Sequence, residues 1–130
     1  MNLIKPLSRF NKMNNETNID LTIKDKLFEF IDLNLRNGFV RIDEIDTDIY
    51  LRNTKRCINN EMISTIDLAN ININDDFQNK GYCSKIIQYL IEIAKSKNIQ
   101  AIYIECVLSD AIEHIIINKF DFIKIKYNDE

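Results

Sequence analysis

Only two glycines occur among the 130 residues, Gly38 and Gly81. A dinucleotide fingerprint of the GxGxxG type needs three in a single turn, so that reading fails. Cysteine is scarce and odd in number: Cys57, Cys83 and Cys106 give no pairing framework, so free thiols in a reducing compartment are expected. With one histidine, His114, and no CxxC or HxxxH pair, no metal site is expected. No apolar run approaches the roughly 20 residues that cross a bilayer, and the stretch MNLIKPLSRFNKMNNETN lacks the apolar core of a signal peptide. An intracellular, cytoplasmic protein without a membrane partner is the expectation. Basic excess is missing as well, since 17 Lys and Arg face 20 Asp and Glu for a net charge of -3. That balance argues against nucleic acid, whose binders concentrate positive charge on one face.

What is present describes a single globular domain over residues 1–130, with 45% hydrophobic and 28% charged residues. The densest charge run is acidic: Asp43, Glu44, Asp46 and Asp48 in RIDEIDTD. It reads either as a solvated edge or as an attraction for a cationic amine. In TIKDKLFEFIDLNLRNGF, Ile23, Leu27, Phe28, Phe30, Ile31 and Leu35 lie near helical spacing, and Gly38 is placed to cap the helix. IYLRNTKRCI and EMISTIDLANINI alternate apolar with polar across Asn59-Asn60, which predicts two antiparallel strands and a hairpin turn. Strict alternation puts Asp67, Ala69, Ile71 and Ile73 on one face of the second strand. An amphipathic helix through Cys83, Ile86, Ile87, Leu90 and Ala94, a strand in IQAIYIECV, a short helix in DAIEHIIINKF and a last strand in FDFIKIKY follow. The second half is thus β-α-β-α-β, implying a parallel pair joined by a crossover helix.

Gly81 stands in NDDFQNKGYCSKIIQYLIEIAK, between the second predicted strand and the amphipathic helix. A helix N-terminus leaves backbone N–H groups unpaired and favours negative charge. Glycine there lets the chain approach a phosphate closely, Lys80 adds a cation, and Ser84 adds a hydroxyl donor. The plain alternative is that Gly81 only starts the helix.

Gln78-Asn79-Lys80-Gly81-Tyr82-Cys83, set between IDLANINI and SKIIQYLIEIAK, resembles the most recognisable motif of the GNAT superfamily of acyl-CoA-dependent N-acetyltransferases. With IYIECV and DAIEHIIINKFDF in the family's order, the resemblance covers residues 61–127. It implies an α/β fold with a mixed central sheet whose parallel strands splay apart, and acetyl-CoA as co-substrate. Residues Gln78, Asn79, Lys80, Gly81, Tyr82, Cys83 and Ser84 would then receive the pyrophosphate. The main chain of Ile71, Asn72 and Ile73 would hold the pantetheine arm. Ser109 would replace the family's usual asparagine contact. Two departures stand out. Cys83 replaces a glycine or alanine, and the tyrosine that many members use to protonate the leaving thiolate falls on Ile115 or Ile117, according to whether Phe120 or Phe122 closes the motif. A thiol of pKa about 8.5 is a tolerable leaving group without full protonation, and Tyr103, Tyr127 or water are the substitutes at hand.

Acyl transfer from a thioester to an amine needs a neutral amine, a stabilised oxyanion and a leaving thiolate. An alkylammonium near pKa 10 is mostly protonated at neutral pH, so a carboxylate is needed to take its proton. Asp67 sits about where some family members place a catalytic glutamate, and Glu105 lies in the otherwise apolar IYIECV. Both are candidate bases, and both can equally be hydrogen-bonded structural carboxylates. By the same resemblance, backbone N–H groups of residues 70–73, where the family holds the thioester by main-chain hydrogen bonds, would meet the oxyanion. The expected activity is acetyl transfer to a primary amine by direct attack in a ternary complex. The acceptor is a polyamine or another small cationic amine, with a protein lysine or N-terminal amine as the alternative. The rival reading is a non-catalytic acyl-CoA-binding or regulatory module on the same fold. Pairing of two copies through a sheet edge at the last strand is a further expectation.

Overall fold

Two asparagines in left-handed conformation, Asn59 and Asn60 (φ 52° and 65°), fold the longest hairpin back on itself. They join β3 (Thr47–Ile58) to β4 (Glu61–Ile73) with Ile58 opposite Glu61, and that register runs on to place Arg52 opposite Asp67. The computed structural model describes residues 2–7, 17–106 and 109–125. In chain order the other elements are β1 (Asn2–Pro6), α1 (Asn18–Asp32), β2 (Asn37–Ile42), α2 (Tyr82–Ser96), β5 (Ala101–Ile104), α3 (Asp110–Phe120) and β6 (Ile123–Ile125). They form one six-stranded mixed sheet in the order β2-β3-β4-β5-β1-β6, with β4 and β5 the parallel pair that α2 connects.

The three helices pack on one face of this sheet. Ile23 and Leu27 of α1, Ile86 and Leu90 of α2 and Ile116 of α3 share a core with Ile66 and Leu68 of β4 and Ile102 and Ile104 of β5. Burying each such side chain contributes roughly 1.5–3 kcal/mol. The opposite face carries a smaller cluster of Ile4, Ala101 and Tyr103, flanked by Ile58, Ile63 and Ile125, and no helix residue among the described residues joins it. Among the described residues no helix is long and apolar enough to cross a membrane.

Three details differ from the sequence reading. Gly38 is not a helix cap: α1 ends at Asp32 with Leu33 as its C-cap, Asn34 takes the left-handed position, and Gly38 lies in β2, where an added Cβ would come within 3.1 Å of the Phe30 ring. A bulge interrupts β4, since Tyr50 pairs with Asn70 while Leu51 pairs with Leu68, leaving Ala69 extra. One extra residue reverses the alternation, so Ile71 and Ile73 pack with Ile66 and Leu68 on the helix side and Asp67 faces the other way. Finally, the sequence reading assigns no strand to NLIKP, yet β1 runs antiparallel between β5 and β6, pairing Leu3 with Ile104 and Lys124.

Candidate functional site

Beyond Leu68 the parallel pair comes apart. Among the described residues the last link is the Glu105 N–H donating to the Leu68 carbonyl at 3.1 Å. After it β5 has ended, while β4 continues beside β3 through the bulge to Ile73. Residues Ile71, Asn72 and Ile73 therefore border a gap on the side where β5 would have run. A strand paired on one side only turns alternate N–H and C=O groups toward the other. These groups are the main-chain donors and acceptors expected for an extended ligand arm.

At the far end of β4 the chain makes one turn of 3-10 helix (Asp75–Phe77) and enters α2 through Gly81. Gly81 holds φ 82°, ψ 5°, and an added Cβ would meet nothing within 4 Å. The conformation calls for glycine, and the space in front of it is open. Among the described residues no side chain caps α2 and no acidic residue occupies its first turn, so the N–H groups of Tyr82, Cys83 and Ser84 keep their capacity for an anion. Gln78 works as a brace: its amide donates to the Ile73 carbonyl at 2.9 Å and to Asp75 Oδ1 at 3.1 Å. Asn79 is left-handed at φ 61°. The Lys80 ammonium lies 5.7 Å from the Phe77 ring centroid, and Tyr82 meets the same ring edge-on at 6.4 Å. Cys83 is buried in the core, and burial pushes its thiol up to about 11. A thiol held protonated at neutral pH packs the helix and does not attack.

On the face opposite the helices, two arginines that the sequence reading passed over meet the two carboxylates it selected. Asp67 is fully buried. Its Oδ2 accepts from Arg56 Nη2 at 2.8 Å and Nε at 3.1 Å, and its Oδ1 accepts from the Thr65 hydroxyl at 2.7 Å. Glu105 is 28% exposed; its Oε1 accepts from Arg56 Nη2 at 2.7 Å and from Arg52 Nη1. Its Oε2 has no hydrogen bond among the described residues. Arg56 also lies 3.8 Å above the Tyr103 ring, whose hydroxyl accepts from Asn2 Nδ2 at 2.6 Å. A signal for the arginines was present: Arg52 and Arg56 are four apart in a strand, hence on one face, and counting back from the Asn59-Asn60 turn puts Arg52 across from Asp67.

The remaining expected site residues lie elsewhere. Ser109 caps α3, its hydroxyl accepting from the Ile112 N–H at 3.3 Å. Residues 107 and 108, which join it to β5, are outside the described residues, as is Tyr127. Ile115 is exposed on α3 and Ile117 packs partly on the core. Three carboxylates of the acidic run converge on one guanidinium: Arg41 Nε meets Asp43 at 3.0 Å, Nη1 meets Asp48 at 3.2 Å, and Nη2 meets Asp46. The hydrogen bond from Arg41 holds the Asp46 carboxyl below its usual range. Asp46 in turn accepts from Asn74 Nδ2 at 2.7 Å, so the run steadies the start of the glycine loop. Among the described residues no three His, Cys, Asp or Glu side chains converge to hold a metal ion.

The arrangement has two sides. A helix start with open space before Gly81 lies at the end of β4, and a partly exposed carboxylate stands where β4 and β5 part, facing away from the helices. A family model described as Acetyltransferase (GNAT) family matches residues 38–120. No curated protein and no solved structure matches the chain.

Proposed function

The chain belongs to the GNAT family of acetyltransferases, which use acetyl-CoA, and on that premise we propose that it acetylates a primary amine with Glu105 as the base. The observation that carries this reading is the free Oε2 of Glu105 at the point where β4 and β5 separate. Asp67 is the poorer base, because both its oxygens are occupied and no solvent reaches it.

The residues present fit acetyl-CoA. The N–H groups of Tyr82, Cys83 and Ser84 would hold the pyrophosphate, helped by Lys80, and the main chain of Ile71, Asn72 and Ile73 would hold the arm in the gap. Acetyl-CoA supplies the activated acyl carbon as a thioester. Glu105 takes a proton from the acceptor's ammonium on the open face, and Arg52 and Arg56 fix the orientation of its carboxylate. A thiolate with an ordinary thiol pKa of about 8.5 leaves without a dedicated acid, so water suffices where Ile115 and Ile117 offer no proton. The polyamine acceptor loses its support, because Arg41 already engages Asp43, Asp46 and Asp48. The three free cysteines fit the reducing cytoplasm.

A non-catalytic acyl-CoA-binding module is the second reading, favoured by the isoleucines in place of a tyrosine. Melting curves with and without acetyl-CoA, followed by thiol release over an amine panel, separate the two. Stabilisation with thiol release supports the enzyme, stabilisation alone supports the module, and no stabilisation removes both.

A further inference from the structure

The open side of the gap presents a carboxylate and a guanidinium in direct contact. We propose that the acceptor is an α-amino acid, an amine with a carboxylate on the adjacent carbon. The inference rests on the acetyl-transfer reading above and adds the chemical class of the acceptor.

Arg52 and Arg56 are used differently. Arg56 is 16% exposed and turned inward, bonding Asp67 through Nε and Nη2 and Glu105 through Nη2, with its plane on Tyr103. Arg52 is 38% exposed. Among the described residues only its Nη1 is engaged, bonded to Glu105 and 4.0 Å from Asp67 Oδ2, and its guanidinium sits 5.9 Å from the Tyr50 ring centroid. Among the described residues Nε and Nη2 of Arg52 have no hydrogen-bond partner. Two parallel N–H donors on one edge of a planar cation suit a carboxylate, which they bind in bidentate fashion. Beside them, the free Oε2 of Glu105 suits an ammonium. An α-amino acid carries these two charges one carbon apart, which matches a receptor pair whose own charges touch.

Charge balance points the same way. Arg52 and Arg56 against Asp67 and Glu105 sum to zero, and Asp48, the next acid along this face of β3, is held by Arg41. A polycation finds no net attraction here. A zwitterion satisfies both exposed groups.

The test compares common L-amino acids with their α-carboxamides and decarboxylated amines, with spermidine included, in the parent, R52Q and R52K. For the best acid, kcat/KM should exceed that of its amide and its amine by about 10- to 100-fold, the range expected for a charge-assisted pair. R52Q should bring that ratio toward one, chiefly through a higher KM for the acid, and R52K should restore part of it. Amides, decarboxylated amines or spermidine used as well as the acids would overturn the inference and leave acetyl transfer standing. If acetyl-CoA stabilises the protein yet no amine is acetylated, the acetyl-transfer reading fails. The acceptor site is then read by melting the CoA complex with N-acetylated amino acids. A shift lost in R52Q upholds the carboxylate site, and no shift overturns it.

Discussion

Asp67 and Glu105 look interchangeable as sequence, each a lone acid in an apolar strand, and burial is what separates them. Glu105→Gln should lower kcat by about 10² to 10⁴ at neutral pH, with partial recovery at higher pH where more of the amine is neutral. Asp67→Asn should instead cost stability, on the order of 2 kcal/mol by urea unfolding, because it weakens a buried charge-assisted pair with Arg56. Equal losses of kcat in both would return the assignment to the undecided state of the sequence. Gly81 permits a cleaner separation. Every other residue with positive φ among the described residues is Asn or Asp, such as Asn79, Asn98 and Asp121. Asparagine therefore suits the backbone at 81, and Gly81→Asn should change the melting temperature by only a few degrees. Its side chain would enter the open space before α2, so stabilisation by acetyl-CoA should fall several-fold. Retained stabilisation would mean that the glycine serves the turn alone.

At the scale of elements, β4 and the hairpin were legible because Asn59-Asn60 fixes the turn and alternation runs evenly through Arg52 and Asp67. The bulge was not legible. Ala69 is small enough to continue the pattern on either face, and only pairing with β3 reveals that it is extra. That one residue hid only the parting of Asp67 from Ile71 and Ile73; Arg52 and Arg56 lie on the turn side of the bulge, where the register could be counted. The clamp between α1 and α2 was equally invisible, because its partners are 65 residues apart. Thr17 and Asp20 cap α1 reciprocally, and Asp20 accepts from Lys85 Nζ at 2.7 and 2.8 Å. Burial pushes the Asp20 carboxyl up, but its hydrogen bonds to Lys85 and Thr17 outweigh that and hold it below its ordinary value of 3.8. A carboxylate held low contributes stability above its unfolded pKa and loses it as pH falls through the folded value. Asp20→Asn should thus cost about 1–3 kcal/mol at pH 7, and the gap from the parent should narrow below about pH 4. Urea midpoints at pH 7 and pH 3 measure both. A gap that does not narrow would mean that Asp20 acts by packing rather than charge.

For the whole molecule, the β-α-β-α-β order of the second half could be read because each step is local, with α2 carrying the chain from β4 to β5. The closure of the sheet could not. NLIKP is a five-residue segment with no turn beside it to set a register, and its partners on β5 and β6 lie about 100 and 120 positions further along. In the fold, Leu3 is buried in the helix-side core and Ile4 in the opposite cluster, while the Lys5 ammonium donates to the Phe120 carbonyl at 2.6 Å. One strand thus ties β5, β6 and the end of α3 together, and Asn2 reaches Tyr103 beneath Arg56. Removing residues 1–7 would expose the edge of β5, whose four residues are all buried, and leave β6 without a partner among the described strands. Such an edge invites pairing with other chains. The truncated protein should lose cooperative melting and associate on sizing columns, and a peptide of residues 1–8 added in excess should restore both, as a donated strand does. Leu3→Ala, a milder cut, should cost about 2–4 kcal/mol by urea unfolding with acetyl-CoA stabilisation retained. If the truncated chain stays monomeric and melts like the parent, β1 is an ornament of the sheet, and what carries Glu105 into the site must be β4 and α2 alone.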